Sequence, residues 1–357
     1  MSTLIGPPRA EMEEVNEADQ ARGDEGDGVV VAIPAREAKP RRFGRSFWLL
    51  VVQRIGGAIF VLWAALTLTF IAVQFAPGDT VSLLLGENRN DPQLRAETIE
   101  RWGLDQPAWV QYLTYLQRIP SGDLGISYTL RKPVGELIAS GFGPTVTLAL
   151  TAAAVAAILA VFGALITTSR VRVLRPLANV VELIVVSAPP FWLAIVLQWA
   201  ISFQLGWFSV VRQGSWQALV LPVAALALPI AAYLTQILVE GIDNAMAQPF
   251  VVTARSRGIS YLAARTRHAL RHASLPAVHM IGLIIGSLLG GAVIVEQVFS
   301  RPGLGQLAVD AATVKDIPLI LGISLVSTAA FVVVSTLADI VGAAIDPRTR
   351  TGKEESE

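Results

Sequence analysis

EGIDNAMAQPFVVTARSRGISYLAARTRHALRHASLP, residues Glu240 to Pro276, is a polar interval with an apolar run long enough to cross a bilayer immediately on either side. A loop placed in this way must face one aqueous compartment. Past Glu240 it carries Arg255, Arg257, Arg265, Arg267 and Arg271 against the single carboxylate of Asp243. That excess of cations assigns it to the cytoplasm, and every other span is oriented from it.

The whole composition agrees. With 53% hydrophobic and only 16% charged residues and a mean hydropathy of +0.55, the chain is too apolar to hide that surface in one soluble core. Its apolarity comes in long blocks, so the fold class expected is an all-α polytopic membrane protein. The formal net charge of zero says little about partners, because the two signs are segregated along the chain. Cysteine is absent, which excludes disulfides, thiolate metal sites and a cysteine nucleophile.

Outward from the central loop, the topology follows from where the basic residues fall. Residues 1–46 read as a disordered cytoplasmic tail, rich in Asp and Glu and poor in large apolar side chains at its start. No apolar h-region precedes Phe47, so no signal peptide is expected. Arg36, Lys39, Arg41, Arg42, Arg45 and Arg54 form a basic collar that keeps this end inside. Residues 47–144 comprise the first span, Ile55 to Phe75, stopped at Ala76-Pro77-Gly78-Asp79, and a long external loop. Trp102, Trp109 to Tyr115 and Tyr128 suggest short helices on the outer face of that loop. Residues 145–345 form the core, with the cytoplasmic loop at about 241–276, and residues 346–357 a polar tail.

Within the core, the second span runs from Thr145 to Thr168 and is followed by Arg170, Arg172 and Arg175. The third, Asn179 to Leu205, is interrupted at Ser187-Ala188-Pro189-Pro190, and such breaks are tolerated only where protein or a water-filled cavity surrounds them. The fourth runs from Ala218 to Val239, the fifth from Ala277 to Phe299 and the sixth from Leu319 to Val341. Six crossings leave both ends in the cytoplasm. On the fifth, Gly282, Gly286 and Gly290 recur every fourth residue and make a smooth face that another helix can approach closely.

The loop itself reads as a helical hairpin. Thr253 to Arg257 belong to a short helix stopped at Gly258, which readily takes the left-handed cap conformation. Ser260 caps a second helix that runs through His272 and is ended by Leu275-Pro276. Leu262, Thr266, Ala269 and Ala273 form its weakly apolar stripe, with Arg265, Arg267, His268 and Arg271 projecting elsewhere. Two uses fit this pattern: a knob for the groove of a soluble partner, or a basic amphipathic segment resting on anionic lipid headgroups.

Candidates for chemistry are few. Glu296, near the outer end of the fifth span, is expected to be paired or to line a water-filled path, against the plain alternative of a carboxylate reaching the interface. Asp339 reads as interfacial. Arg301 to Gly305 and Asp316-Ile317-Pro318 form an external turn and short helix. His268 and His272 lie one helical turn apart, but no carboxylate or thiol is near and arginines flank both, so no metal site is expected. No catalytic residue is expected: a His-Glu-x-x-His pair is absent, and the three histidines lie in the central loop or, for His279, at the membrane edge. No Gly-rich phosphate loop of the Walker type occurs either, so the chain does not bind ATP by that route.

Thr253-Ala254-Arg255-Ser256-Arg257-Gly258, followed by Arg267-His268-Ala269-Leu270-Arg271 and Leu275-Pro276, resembles the cytoplasmic loop of binding-protein-dependent ABC transporter permeases. The likeness is strongest to the first permease of dipeptide, oligopeptide and nickel importers. It extends in order through Ala76-Pro77-Gly78-Asp79, Gly103-Leu104-Asp105-Gln106-Pro107, Gly122-Asp123-Leu124-Gly125, Phe191-Trp192, Leu205-Gly206-Trp207, Glu296, Pro302-Gly303-Leu304-Gly305 and Asp346-Pro347-Arg348. Two departures are visible: Val252 stands where the wider family's loop begins Glu-Ala-Ala, and the interval from Gly258 to Leu275-Pro276 is longer than in many sugar-importer relatives.

The resemblance implies a type I ABC importer permease fold in the inner membrane, moving di- or oligopeptides by alternating access. It implies that Thr253, Ala254, Arg255, Gly258, Ser260, Leu262, Arg265, Arg267 and Leu270 form the coupling element toward an ATPase. Pro189, Pro190, Glu296, Pro302, Gly303 and Gly305 become candidates for the translocation path and outer gate, and Gly282, Gly286 and Gly290 for packing against a second permease. Its partners would be that permease, two ATPase subunits holding ATP and Mg, an extracytoplasmic substrate-binding protein and the bilayer. No nucleic acid and no cofactor on this chain are expected. The competing readings are an ion-coupled secondary transporter, supported by Glu296 and the proline breaks, and the same ABC role with nickel or an opine-like substrate.

Overall fold

The structure, a computed structural model, describes residues 45–169, 174–208 and 215–345, with the surroundings of some side chains in these ranges left out. The two expected tails, apart from residues 45 and 46, and the basic Arg170 and Arg172 lie outside the described residues. The chain divides into two compact units between Gln53 and Arg54. Of the first, only 45–53 are described, as the opening turns of a helix; the second holds the helix bundle and the outer layer.

The described chain is helical. In order come α1 (Arg45–Phe75), α2 (Thr80–Leu85), α3 (Pro92–Trp102), α4 (Ala108–Arg118), α5 (Val134–Thr167), α6 (Leu174–Ser187) and α7 (Pro190–Leu197). They are followed by α8 (Gln217–Met246), α9 (Pro249–Ser256), α10 (Leu270–Gly291), α11 (Val293–Val298), α12 (Leu304–Thr313) and α13 (Ile317–Ile345). Among the described residues four helices are long and apolar enough to cross a membrane: Val52–Phe75, Val134–Thr167, Gln217–Met246 and Ile317–Val341. A fifth crossing exists if the bent pair Leu174–Ser187 and Pro190–Gln204 counts as one.

Two expected boundaries change. The second span begins not at Thr145 but at Val134, because Pro144 is accommodated inside α5. The third is not one interrupted rod: its halves meet at 103°. Pro189 (φ −60°, ψ 140°) ends the first half and Pro190 sits at the first position of the next helix, where a missing N–H costs nothing. The fifth expected span is divided between α10 and α11 by a turn at Ala292.

At the centre, α5 and α8 pack along each other, and α10 lies against both and against α13. The contact is made by small residues at helical spacing. Ala149, Ala152, Ala156, Ala160 and Ala164 of α5 are buried, and meet Leu226, Ala231, Leu234 and Leu238 of α8. A membrane interior offers little hydrophobic drive between helices, so close van der Waals approach must supply the attraction. At Gly163 a Cβ would lie 2.7 Å from the Thr235 hydroxyl, and at Gly241 one would lie 2.7 Å from Ala273 Cβ and 2.9 Å from its Cα. Gly241→Val is therefore expected to force α8 from α10. The cost is about 2–3 kcal/mol, read as a fall of about 4–8 °C in the melting temperature of the detergent-purified chain.

The outward faces are apolar. Ile59, Phe60, Trp63 and Leu68 of α1, and Val333, Leu337 and Ile340 of α13, are exposed, as lipid-facing side chains must be. Arg54 of α1 and Asp339 of α13 form an ion pair, which gives Asp339 the partner that its interfacial reading left open.

Residues 76–133 form a structured layer: Trp102 and Trp109 to Tyr115 lie on short helices as expected, whereas Tyr128 lies in a turn. Asp79 caps α2 by accepting from Ser82 N (3.2 Å) and Ser82 Oγ (2.7 Å), and it pairs with Arg95 at 2.9 Å. The Ser82 hydroxyl and the Arg95 guanidinium hold its carboxyl below the usual carboxylate range. Asp91 caps α3 ahead of Pro92, and Gly103 ends it at φ +63°. The layer is tied down by Thr67 to Tyr112 (2.6 Å) and by the Phe70–Tyr112 ring pair. Lys315 Nζ donates to the carbonyls of Ala76 and Gly78. The fully buried Asp316 accepts from Ser127 Oγ (2.6 Å) and Thr129 N (3.1 Å).

Candidate coupling site

The hairpin of residues 249–276 is built from local signals. Pro249 opens α9 after an extended Gln248. Gly258 closes it at φ +87°, with Gly258 N donating to Arg255 O (3.0 Å) and Ile259 N to Ala254 O (3.3 Å). No heavy atom lies within 4 Å of a Cβ built there, so glycine is required for its backbone conformation and not for space. Ser260 (φ −63°, ψ 154°) caps the next helix, accepting from Ala263 N at 3.2 Å. The two arms are held by Phe250 against the His272 ring (4.9 Å) and by Arg255 over Tyr261 (5.9 Å).

The second arm departs from expectation in two ways. Leu275-Pro276 does not end it: Tyr261–Ala263, a π-wound Ala264–Ala269 and α10 run on without a break, with Pro276 inside α10. The arm is thus continuous with α10. Arg265 does not project beside Arg267 but is buried at 7% exposure, and its Nε has no hydrogen-bond partner among the described residues. The i→i+5 winding explains the difference, because it brings Ala264 and Ala269 to one buried face and turns Arg265 toward it. The expected apolar stripe splits in the same way. Ala269 and Ala273 enter the core with Ile242 and Ala245 of α8, whereas Leu262 stays outside at 59% exposure.

What remains exposed is a compact face: Thr253, Arg255, Arg257, Gly258, Ser260, Leu262 and Arg267, with Ala254 and Leu270 half-buried beneath it. Exposed arginines and one large exposed apolar side chain on the same hairpin suit a soluble protein groove with an acidic rim.

At the opposite end of the core, Glu296 is fully buried on α11. Its Oε1 accepts from Thr145 Oγ1 (2.6 Å) and its Oε2 from Gly305 N (2.7 Å), while Leu304 N donates to Thr145 Oγ1 (2.9 Å). Glu296 and Thr145 together cap the first turn of α12, whose own N-cap, Gly303, has no side chain to do so. Of the paired and path-lining readings of Glu296, this geometry is the paired one. It also dictates the glycines: a Cβ on Gly303 would lie 2.3 Å from either carboxylate oxygen, and one on Gly305 would lie 2.4 Å from Val293 Cα. Pro302 is exposed beside them. Thr145, 151 residues distant, carried no signal in an otherwise apolar span.

Pro189 and Pro190 are exposed on this chain, as are Phe191 and Trp192. Gly286 faces the Phe331 ring of α13 (3.0 Å from a Cβ built there), so at this position the close approach lies within the chain and not against a second permease. The surroundings of Gly282 and Gly290 lie outside the described residues. Among the described residues no group of three His, Asp or Glu side chains is placed to hold a metal ion.

Residues 157–351 match the family described as binding-protein-dependent transport system inner membrane component, and residues 47–149 match the N-terminal part of such membrane components. The chain belongs to this family. The permease is 34% identical over 305 residues to the glutathione transport system permease protein GsiC of Escherichia coli (strain K12), covering 84% of this chain and 98% of that one. It is likewise 34% identical over 301 residues to GsiC of Salmonella paratyphi A, with the same coverage. A solved amino acid ABC transporter is similar at 20% identity with a TM-score of 0.46, covering 60% of this chain and 94% of that one. The permease is thus a multi-pass inner-membrane subunit of an ABC importer, with a type I permease fold, and is a transport component rather than an enzyme. Its family works with an ATPase and a substrate-binding protein.

Proposed function

We propose that this permease imports di- or oligopeptides by alternating access, with six crossings and both ends in the cytoplasm. It pairs with a second permease, two ATPase subunits that hold ATP and Mg, and one external binding protein. The observation that carries the cargo is the 34% identity across 98% of the length of glutathione permeases, glutathione being a tripeptide. The exposed face around Leu262 is the coupling element: it continues into α10, so a push from the ATPase has a rigid lever to act on. The half-helices at Pro189 and Pro190 supply a gate surface for the second permease. The corner around Glu296, Pro302, Gly303 and Gly305 serves the outer gate as a rigid block, not as a charge in the path.

The test is uptake into proteoliposomes of the assembled complex. Glutathione or a dipeptide is expected to enter only with ATP and the binding protein both present. Accumulation by this chain alone under a proton or sodium gradient would instead make it a secondary transporter, and uptake of nickel without peptide would reassign the cargo.

A further inference from the structure

A cavity of about 340 Å³ lies between α5, α8 and the second arm of the hairpin, and Leu262 takes no part in it. Its walls from α5 and α8 are apolar: Ala160, Leu234 and Leu238 are buried there. Ala160 lies seven residues before the end of α5 and Leu238 eight before the end of α8, about 10–12 Å along each axis. Both helices are long and apolar enough to cross a membrane, so these walls sit at hydrocarbon depth. The arm closes the other side and adds the polar groups Thr266, Arg271 and Ser274. Thr266 Oγ1 donates to Leu262 O and Ser274 Oγ to Arg271 O, each at 2.9 Å, so both hydroxyl protons are taken up within the arm. Arg271 is exposed and makes no ion pair among the described residues, and no carboxylate lines the cavity. An apolar trough thus carries a single uncompensated guanidinium, on a stem long enough to hold its charge at the headgroup level.

We propose that this cavity seats an anionic phospholipid, with an acyl chain against Ala160, Leu234 and Leu238 and its phosphate on Arg271. The lining selects the occupant. A soluble anion would leave the apolar walls unfilled, and an uncharged chain would leave Arg271 without a counter-charge. A phosphatidylcholine brings its own cation beside the guanidinium, so it gains less from that side chain than a lipid of net negative charge does. The hairpin then serves two partners with two faces, the one bearing Leu262 toward the ATPase and the one bearing Arg271 toward lipid, so the two uses open to it in the sequence do not compete. Lipid binding is measured without transport. Its failure leaves the transport reading standing, and failed peptide uptake leaves this site standing.

The experiment titrates the delipidated full-length chain in detergent with dioleoyl phosphatidylglycerol and with dioleoyl phosphatidylcholine, which has the same chains, and counts bound lipids by native mass spectrometry. The first phosphatidylglycerol is expected to bind at least about 5-fold more tightly than the first phosphatidylcholine. Arg271→Gln, a change at an exposed side chain, is expected to remove that preference and leave phosphatidylcholine binding as it was. Ala157→Phe, at a half-buried position of the α5 wall, is expected to fill the cavity and weaken both lipids at least about 10-fold, with a melting curve run beside it to show that the variant is folded. Arg257→Gln, on the other arm of the hairpin and outside the lining, should bind both lipids as wild type does. Equal affinity of the wild type for the two lipids, an intact preference in Arg271→Gln, the same loss in Arg257→Gln, or undiminished binding in folded Ala157→Phe would each overturn the assignment. If Ala157→Phe does not fold, the Arg271→Gln and Arg257→Gln pair decides it.

Discussion

Leu262→Asp is expected to abolish substrate-stimulated ATP turnover by the assembled importer, a loss of at least about 10-fold, while the melting temperature of the isolated permease stays within about 2 °C of wild type. Leu262 is 59% exposed and touches no buried cluster, so the fold gives up little when it is replaced. In a docked groove, however, an aspartate would be desolvated without a partner, which costs several kcal/mol. Arg265→Glu supplies the contrast. Its side chain is buried against the root of α10, so reversing its charge should lower the melting temperature before it says anything about coupling. Co-purification with the ATPase and turnover with loaded binding protein, measured beside the melting curves, separate the two effects. Normal turnover in a correctly assembled Leu262→Asp complex would remove the hairpin from the coupling route.

Gly303→Val is expected to give the largest loss of stability of any single change outside the helix core. Its Cβ would sit 2.3 Å from the Glu296 oxygens, and that carboxylate has no exposed surface into which to retreat. Displacing it strands the Thr145 hydroxyl and the Gly305 N–H in a buried corner and leaves the buried carboxyl group without its donors. Together these cost about 3–5 kcal/mol, or a fall of about 6–12 °C in a thermal melt. Pro302→Ala, one residue away and exposed, should melt like wild type. A Gly303→Val protein with wild-type melting would mean that the corner opens freely and that Glu296 is not held there.

These two sites were legible to different degrees. At the hairpin, Gly258 and Ser260 act through their own backbone: one takes a positive φ and the other offers a hydroxyl to the N–H three residues on. Both effects depend on neighbours in the chain, so both stops were readable. Arg265 was not, because its burial depends on a π turn that no residue pattern in Ala264–Ala269 marks. Pro276 was misread for a related reason. A proline interrupts a free helix, but here the helix persists through it with α8 and α13 packed alongside. Glu296 stood out as an ionisable group in an apolar span, yet what it does was hidden, since its partners come from α5 and from the helix that it caps. The glycines told half of their story. Spacing announced close packing at Gly286, and only the position of Phe331 says that the packing is internal.

By itself, then, the sequence determined the membrane class, the caps of the hairpin and the family. Each of these follows from interactions within one or two helical turns or from the bilayer's demand for long apolar runs. Only the tertiary structure decided that Arg265 faces inward, that Glu296 is a cap, and that Lys315 and Asp316 clasp the layer of short helices. Those outcomes depend on which groups meet across long stretches of intervening chain, and side-chain chemistry alone does not select among the partners that a folded helix bundle could bring within reach.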